Sequence, residues 1–339
     1  MRTIGAVRLG TSPLVVGLVA LVLLGTAERL MPDDWRDTLR ERGLDRVLML
    51  DALLRQRGVT GQPQAPIVIV DIDRRSLETL GPWPLPRSTI ARIVEAVAAA
   101  KPRVIAIDIL FAGDDARSPA ALARRLSDMT GRRDFAELAD SLADGDRLMA
   151  AAMKQSPVVL GFVLDPLQTG NVAHVPILVR GQPTLRGVWR VRGATGPVKA
   201  LAEATAGLGA LALPGDADGV VRHAPLFVRV GGEFRPGLAL ESVRVAQKGT
   251  AYLLQSEPAV FRVADLALPL PTDGLLRLVP MLPGGRGHPR VAALDVLNGA
   301  PAPSSLTGAI VLIGSSAPEA GGLRQTASNP RTIMPQSKK

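Results

Sequence analysis

The 339-residue chain contains no cysteine. That removes disulfides, zinc–thiolate sites, iron–sulfur clusters and thiol nucleophiles in one step. Histidine is nearly missing too: His174, His223 and His288 are isolated, each near a proline. A histidine triad or metal cluster needs at least two to converge, so no metal site is expected. Aromatic residues make up only 3% of the chain, which leaves few platforms for stacking bases. The net charge is +9, and 34 of the 40 basic residues are arginines, but they are scattered. A basic balance without a clustered patch does not mark a nucleic-acid partner, and none is expected. Neither G-x-x-x-x-G-K-[ST] nor G-x-G-x-x-G after a strand occurs, so nucleotide cofactors have no support and no cofactor is assigned.

What is present begins at the N-terminus. Arg2 and Arg8 precede LGTSPLVVGLVALVLLGTA, a charge-free run from Leu9 to Ala27. Nineteen residues at ~1.5 Å each give roughly 28 Å, close to the hydrocarbon thickness of a bilayer. Residues 9–28 therefore read as one transmembrane helix, with residues 1–8 cytoplasmic and the bulk of the chain exported. The small residues Gly25-Thr26-Ala27 keep a cleaved signal peptide open as the alternative, and both readings export the chain. Residues 35–60 follow as a juxtamembrane helix and loop, with Gly43 expected to interrupt the helix.

The next part alternates strand and helix. Ile67 to Asp71 is a strand, and Ser88 is placed to cap a helix with the apolar stripe Ile90, Ile93, Val94 and Val97. VIAIDILF is apolar on both faces, as a central parallel strand should be. SPAALARRLSDM and DFAELADSLADGDRLMAAAMKQ read as helices over the sheet, SPVVLGFVL as a third buried strand, and 165–196 as an insertion or long loop. Hairpins are expected around Asp216–Gly219 and at Gly231-Gly232, then a helix from Leu238 to Gln247. The strings DGVVRHAPL and DGLLRLVPM share a D-G-φ-φ-R-x-x-P-φ pattern and read as two similar hairpin arms. AIVLIG is a last strand. The fold class is α/β: a mostly parallel sheet flanked by helices, with added antiparallel hairpins.

Right-handed crossovers put Asp71, Asp73 and Asp108 at the carboxyl end of one sheet, the edge where open α/β sheets bind ligands. Two aspartates at i, i+2 on a strand would face the same way, as in a haloacid-dehalogenase-type phosphohydrolase. Position 75 is Arg, however, and LIGSS carries no later acidic pair. Asp216-Ala217-Asp218-Gly219 lacks the glutamate of a calcium loop, and Ser315-Ser316 lacks G-x-S-x-G. No catalytic residue is assigned. The ligand-contact expectation rests on Asp71, Asp73 and Asp108, with Trp83 and Arg87 on the adjoining loop and Ser315 and Ser316 after the last strand.

VDIDRRSLETLGPWPLPRSTIARIVEAVAAAKPRVIAIDILF resembles the opening of the CHASE2 family. The likeness continues through DRLMAAAMKQSPVVLG, GLGALALPGDADGVVRHAPL, GLALESVRV and LPTDG, and closes with LDVLNGAPAPSSLTGAIVLIGSSAPEAGGLRQT. It spans about residues 45–326, leaving 327–339 as a polar tail. The resemblance implies an extracytoplasmic sensor of a bacterial receptor, held at the inner membrane by a single span, with its main domain in the periplasm. It implies a small-molecule or periplasmic ligand that is not identified, and no enzymatic activity of its own. Signalling partners would be a second copy of the chain (a homodimer) or a partner receptor. The usual output module, an adenylate or guanylate cyclase or a sensor kinase, has no counterpart in ASNPRTIMPQSKK, so the expectation is a truncated receptor.

Overall fold

The computed structural model describes residues 13–57, 67–168, 172–183, 185, 187–213, 215–216, 218–279, 288–300, 306–321 and 326. Two helices come first, α1 (Pro13–Leu30) and α2 (Asp33–Arg57), separated at Pro32. Gly43 does not interrupt α2, because a single glycine costs a helix only about 1 kcal/mol. Among the described residues no helix is long and apolar enough to cross a membrane. The start of the expected span, residues 9–12, the loop from residue 58 and the 327–339 tail lie outside the described residues.

The main sheet begins with β1 (Ile67–Asp71), followed by α3 (Arg74–Leu80), α4 (Arg87–Ala99) and β2 (Val104–Ile107). Ser88 lies inside α4 rather than capping it; Pro86 is the N-cap, and its ring presets the entry. The helical excursion α5 (Pro119–Thr130), α6 (Arg133–Ser141) and α7 (Gly145–Met153) leads to β3 (Val158–Asp165). Ser118 caps α5 by accepting from the Ala121 N–H, and Gly131 closes it in the left-handed region. α5 and α6 pack chiefly on each other, since the buried residues they offer are the alanines Ala120, Ala123 and Ala139, while α7 packs against α4.

The expected insertion is structured. It holds β4 (Ile177–Arg180), β5 (Arg190–Val191) and β6 (Gly193–Thr195), before α8 (Lys199–Ala204) and β7 (Gly207–Ala210). Next come β8 (His223–Pro225), β9 (Phe227–Val230), β10 (Glu233–Pro236) and α9 (Leu238–Ala246). β11 (Tyr252–Ser256), β12 (Ala259–Val263), β13 (Leu266–Pro269) and β14 (Leu275–Arg277) follow. β15 (Arg290–Ala292), α10 (Ala293–Leu297) and β16 (Ile310–Gly314) complete the domain.

The central order is β15-β1-β16-β2-β3, with β7 parallel and β6 antiparallel beyond β3. The last strand, β16, fits between β1 and β2, so those two are near-neighbours and not neighbours. Strand alternation feeds two layers. Ile105 and Ile107 pack with Ile93, Val94 and Met149 of α4 and α7, whereas Val104, Ala106 and Val159 meet Val245 of α9 on the other face. α9 approaches closely: a Cβ on Gly209 would lie 2.4 Å from the Leu238 Cα.

A second core joins α9 to a four-stranded sheet, β13-β12-β11-β4. Phe227 sits at its centre, edge-on to Phe234, Tyr252 and Phe261. The two cores are bonded by a buried polar triad. Glu241 of α9 accepts from the Tyr252 hydroxyl at 2.5 Å and from Arg244, which also donates to the Ala206 carbonyl before β7. Burial, with the Glu241 carboxylate alongside, raises the Tyr252 pKa and keeps the hydroxyl protonated as a donor.

The Gly231-Gly232 hairpin forms between β9 and β10. The turn at Asp216–Gly219 does not make a hairpin, because β7 pairs with β3 and β8 pairs with β14. The two D-G-φ-φ-R-x-x-P-φ strings thus pair with each other, antiparallel, with His223 opposite Arg277 and Pro225 opposite Leu275.

Candidate functional site

β1, β16 and β2 end side by side, and their carboxyl ends are tied by the backbone: Ile72 N–H donates to the Gly314 carbonyl and Asp108 N–H to Ile313. α9 covers the sheet face over β2, β3 and β7. In front of its N-terminus a cleft of about 420 Å³ opens between the sheet, the 210–213 segment after β7, and β8. Its walls are mostly apolar, with Ile69, Leu312, Leu211, Leu238 and Pro225 prominent. The polar groups lie at the strand ends: Asp71, Asp108, Arg290, Ser315 and Ser316.

Asp71 is buried and fully engaged. It accepts from the Ser316 N–H at 2.9 Å, the Ser316 hydroxyl at 2.7 Å and Arg290 at 3.2 Å. The Ser315 hydroxyl donates to the Ile72 carbonyl at 2.7 Å, so both serines lock the loop after β16 onto the end of β1. Asp108 differs. Among the described residues no hydrogen bond or ion pair reaches its carboxylate, and desolvation by the cleft walls raises its pKa although the residue is open to solvent on one side.

Four of the seven expected contact residues, Asp71, Asp108, Ser315 and Ser316, therefore line one cleft. The other three lie elsewhere. β1 stops at Asp71, and Asp73 is the N-cap of α3, accepting from the Ser76 N–H at 2.8 Å. The same-face geometry of an i, i+2 pair holds only while the strand continues, so Asp73 turns away from Asp71. The two carboxylates do not face one reacting atom, as phosphoryl transfer to an aspartate would need. Trp83 is half-buried against the main core. Arg87 is buried beneath Phe111, bonded to Asp146 and to the Gly113 carbonyl, and its own N–H donates to Asp115 at 3.0 Å. Its hydrogen-bonding capacity is spent on the α4–α7 junction.

Sequence reasoning missed Arg290, whose only signal was its place at the start of a short strand. It also missed the apolar wall from β7 and α9, which belongs to distant segments. A larger groove, about 730 Å³, runs along the four-stranded sheet past Arg180, Glu257 and Thr272, and holds none of the expected residues. Among the described residues no group of three or more His, Asp or Glu side chains is placed to hold a metal ion.

One wall of the cleft continues to the helices at the N-terminus. Ala224 and Pro225 of β8 line the cleft, and two residues earlier Arg222 is buried among three carboxylates. It donates to Asp216 at 2.9 Å, to Asp218 at 2.8 and 2.9 Å, and to Asp45 of α2 at 2.8 Å. This guanidinium holds the Asp218 carboxyl down at about 2. The matching arginine of the second string, Arg277, bonds Glu41, one turn earlier on α2.

The described residues thus form a layered α/β domain with an open cleft at the carboxyl edge of its sheet, joined to a preceding helix through Arg222 and Asp45. The chain belongs to the CHASE2 domain family, whose model matches residues 15–337. CHASE2 domains are extracytoplasmic, non-catalytic sensor domains of signal-transduction proteins. No curated protein and no solved structure matches the chain.

Proposed function

We propose that this protein is a membrane-anchored sensor whose ligand enters the carboxyl-edge cleft and whose occupancy is passed to α2 along β8. The observation that carries the reading is the continuity of one short segment: Ala224 and Pro225 of β8 face the cleft while Arg222, just before the strand, grips Asp45. A ligand that favours one position of β8 shifts the α2 equilibrium only by its difference in affinity for the two states. A cyclase or kinase output module would then read the helix.

The cleft chemistry supports a small, largely apolar ligand bearing one amine. Its walls offer apolar surface, Asp71 is already satisfied, and Asp108 presents a carboxylate without a partner among the described residues. An ammonium placed there offsets the cost of keeping that carboxylate charged. A thermal-shift series on the full chain in detergent tests this, with short alkyl amines against matched alcohols. Amines are expected to raise the melting temperature by mass action, and Asp108→Asn to abolish the shift while Asp73→Asn keeps it. Equal responses to amine and alcohol, or a response unchanged in Asp108→Asn, would reject the ligand class.

Anchoring in the inner membrane, with the domain in the periplasm, is supported by α1. Val15, Val16, Leu18, Val19, Leu21 and Val22 all stand exposed around it, and the uncharged run starts at Leu9. An apolar helix exposed all round needs an apolar solvent. Retention in carbonate-washed membranes, lost when residues 9–27 are deleted, is the expected result.

A further inference from the structure

Gly161, Gly207, Gly209 and Gly314 stand in strands β3, β7 and β16 of the central sheet. Packing accounts for three of them. A Cβ on Gly161 would collide with Leu211, one on Gly207 with Glu241, and one on Gly209 with Leu238. Gly314 is different. The nearest atom to its Cβ would be the Asp108 Cβ at 3.7 Å, an ordinary contact, and its φ lies outside the left-handed region. Alanine would fit there, and a strand is more stable with it. A strand glycine that packing does not require marks a place where something else approaches the backbone.

The register shows what Gly314 faces. It pairs with Asp71 on one side, and on the other the Asp108 N–H donates to the carbonyl of the preceding Ile313. Gly314 therefore lies between the two aspartates, at the end of three parallel strands, and all three residues line the cleft. It is the floor of the gap between the carboxylates.

The groups around this floor narrow the choice of amine. The charged side chains lining the cleft are Asp71, Asp108 and Arg290, two carboxylates and one guanidinium. They leave one negative charge, which a single ammonium cancels and a zwitterion does not. The Ser316 hydroxyl donates to Asp71 and keeps lone pairs that can accept an N–H. A primary ammonium has three N–H donors to offer Asp108 and Ser316, and a quaternary one has none. Quaternary ammonium ions are held instead by aromatic faces, and none of the described residues lining the cleft is aromatic.

We propose that Gly314 is the specificity-determining contact of the cleft. It lets the terminal –CH2–NH3+ of an unbranched amine lie against β16, within reach of Asp108 and Ser316, and the cleft so selects primary over quaternary ammonium ions. This rests on the amine reading of the cleft and names which amines it takes. A methyl group at position 314 would raise the floor and lift the ammonium off Asp108 without disturbing the sheet.

The test is a thermal-shift titration of the full chain in detergent with butylamine and with butyltrimethylammonium, which share chain and charge. The unaltered protein is expected to respond to butylamine at several-fold lower concentration than to butyltrimethylammonium. Gly314→Ala is expected to keep or exceed the unaltered urea midpoint, and to need several-fold more butylamine for the same shift. Equal responses of the unaltered protein to the two cations overturn the proposal. So does a folded Gly314→Ala with the full butylamine response; if that response is lost in Asp108→Asn, the amine reading stands and only the role of Gly314 falls. No butylamine shift in the unaltered protein removes both. If Gly314→Ala lowers the urea midpoint, the comparison of the two cations on the unaltered protein decides by itself.

Discussion

Arg222 and Asp45 are 177 positions apart in sequence and 2.8 Å apart in space, and the arginine that makes this contact also holds Asp216 and Asp218. The guanidinium is buried, and its planar fork serves three carboxylates from two segments. Arg222→Ala leaves three acidic groups facing one another at the α2 junction. Loss of a buried partner of this kind is expected to cost about 3–5 kcal/mol, read as a lower urea midpoint. Arg222→Lys keeps the charge but not the fork, and should recover only part of that loss.

The same cluster sets an acid limit. The folded-state pKa of Asp218, near 2, lies below its unfolded value of about 3.8. A depressed carboxylate pKa contributes stability that is fully present above the unfolded pKa and is lost as pH falls towards the folded one. Unfolding midpoints should therefore drop between about pH 4 and pH 2, and Asp218→Asn should flatten that segment of the profile.

Asp108 has the opposite sign. Its pKa is raised by desolvation, so the folded state prefers the neutral acid and pays for ionising it as pH rises from the unfolded pKa through the folded one. Asp108→Asn is expected to match or exceed the wild-type melting temperature at neutral pH, with any gain gone below about pH 3.8. Asp71→Asn should destabilise at neutral pH, since it weakens contacts with Ser316 and Arg290. A melting-temperature profile of both variants separates the two aspartates.

Gly209 tests the packing of α9 on β7. A Cβ there would lie 2.4 Å from the Leu238 Cα, backbone that cannot rotate away. Gly209→Ala is expected to cost about 1–3 kcal/mol in urea unfolding, as overpacking does. Gly232→Ala, with open space around it, is strained only by its positive φ and should cost less.

The elements with strong local signals were legible. Ile67–Asp71 is a strand, the stripe Ile90, Ile93, Val94 and Val97 turns inward on α4, and Leu238–Ala246 is a helix. Pairing was not legible where the turn was read correctly but the arms went elsewhere. Asp218-Gly219 and Asp273-Gly274 are both turns, yet β8 and β14 pair with each other, and Arg222 just before β8 and Arg277 in β14 both reach the same helix, α2. The site was half legible for a related reason. Asp71 and Asp108 could be placed from strand ends alone, whereas Asp73 lies two residues past the end of β1, where strand alternation no longer sets the face a side chain takes.

By itself the sequence determined the α/β alternation, the carboxylates at strand ends, the apolar N-terminal run and membership of the CHASE2 family. Those properties are written in period, composition and local order, over windows of tens of residues. Tertiary structure alone decided that β16 slots between β1 and β2, that Asp71 is satisfied while Asp108 has no partner among the described residues, and that Arg222 and Arg277 close on α2. These depend on which distant segments share a surface, and burial and hydrogen-bond partners exist only once the chain has closed on itself.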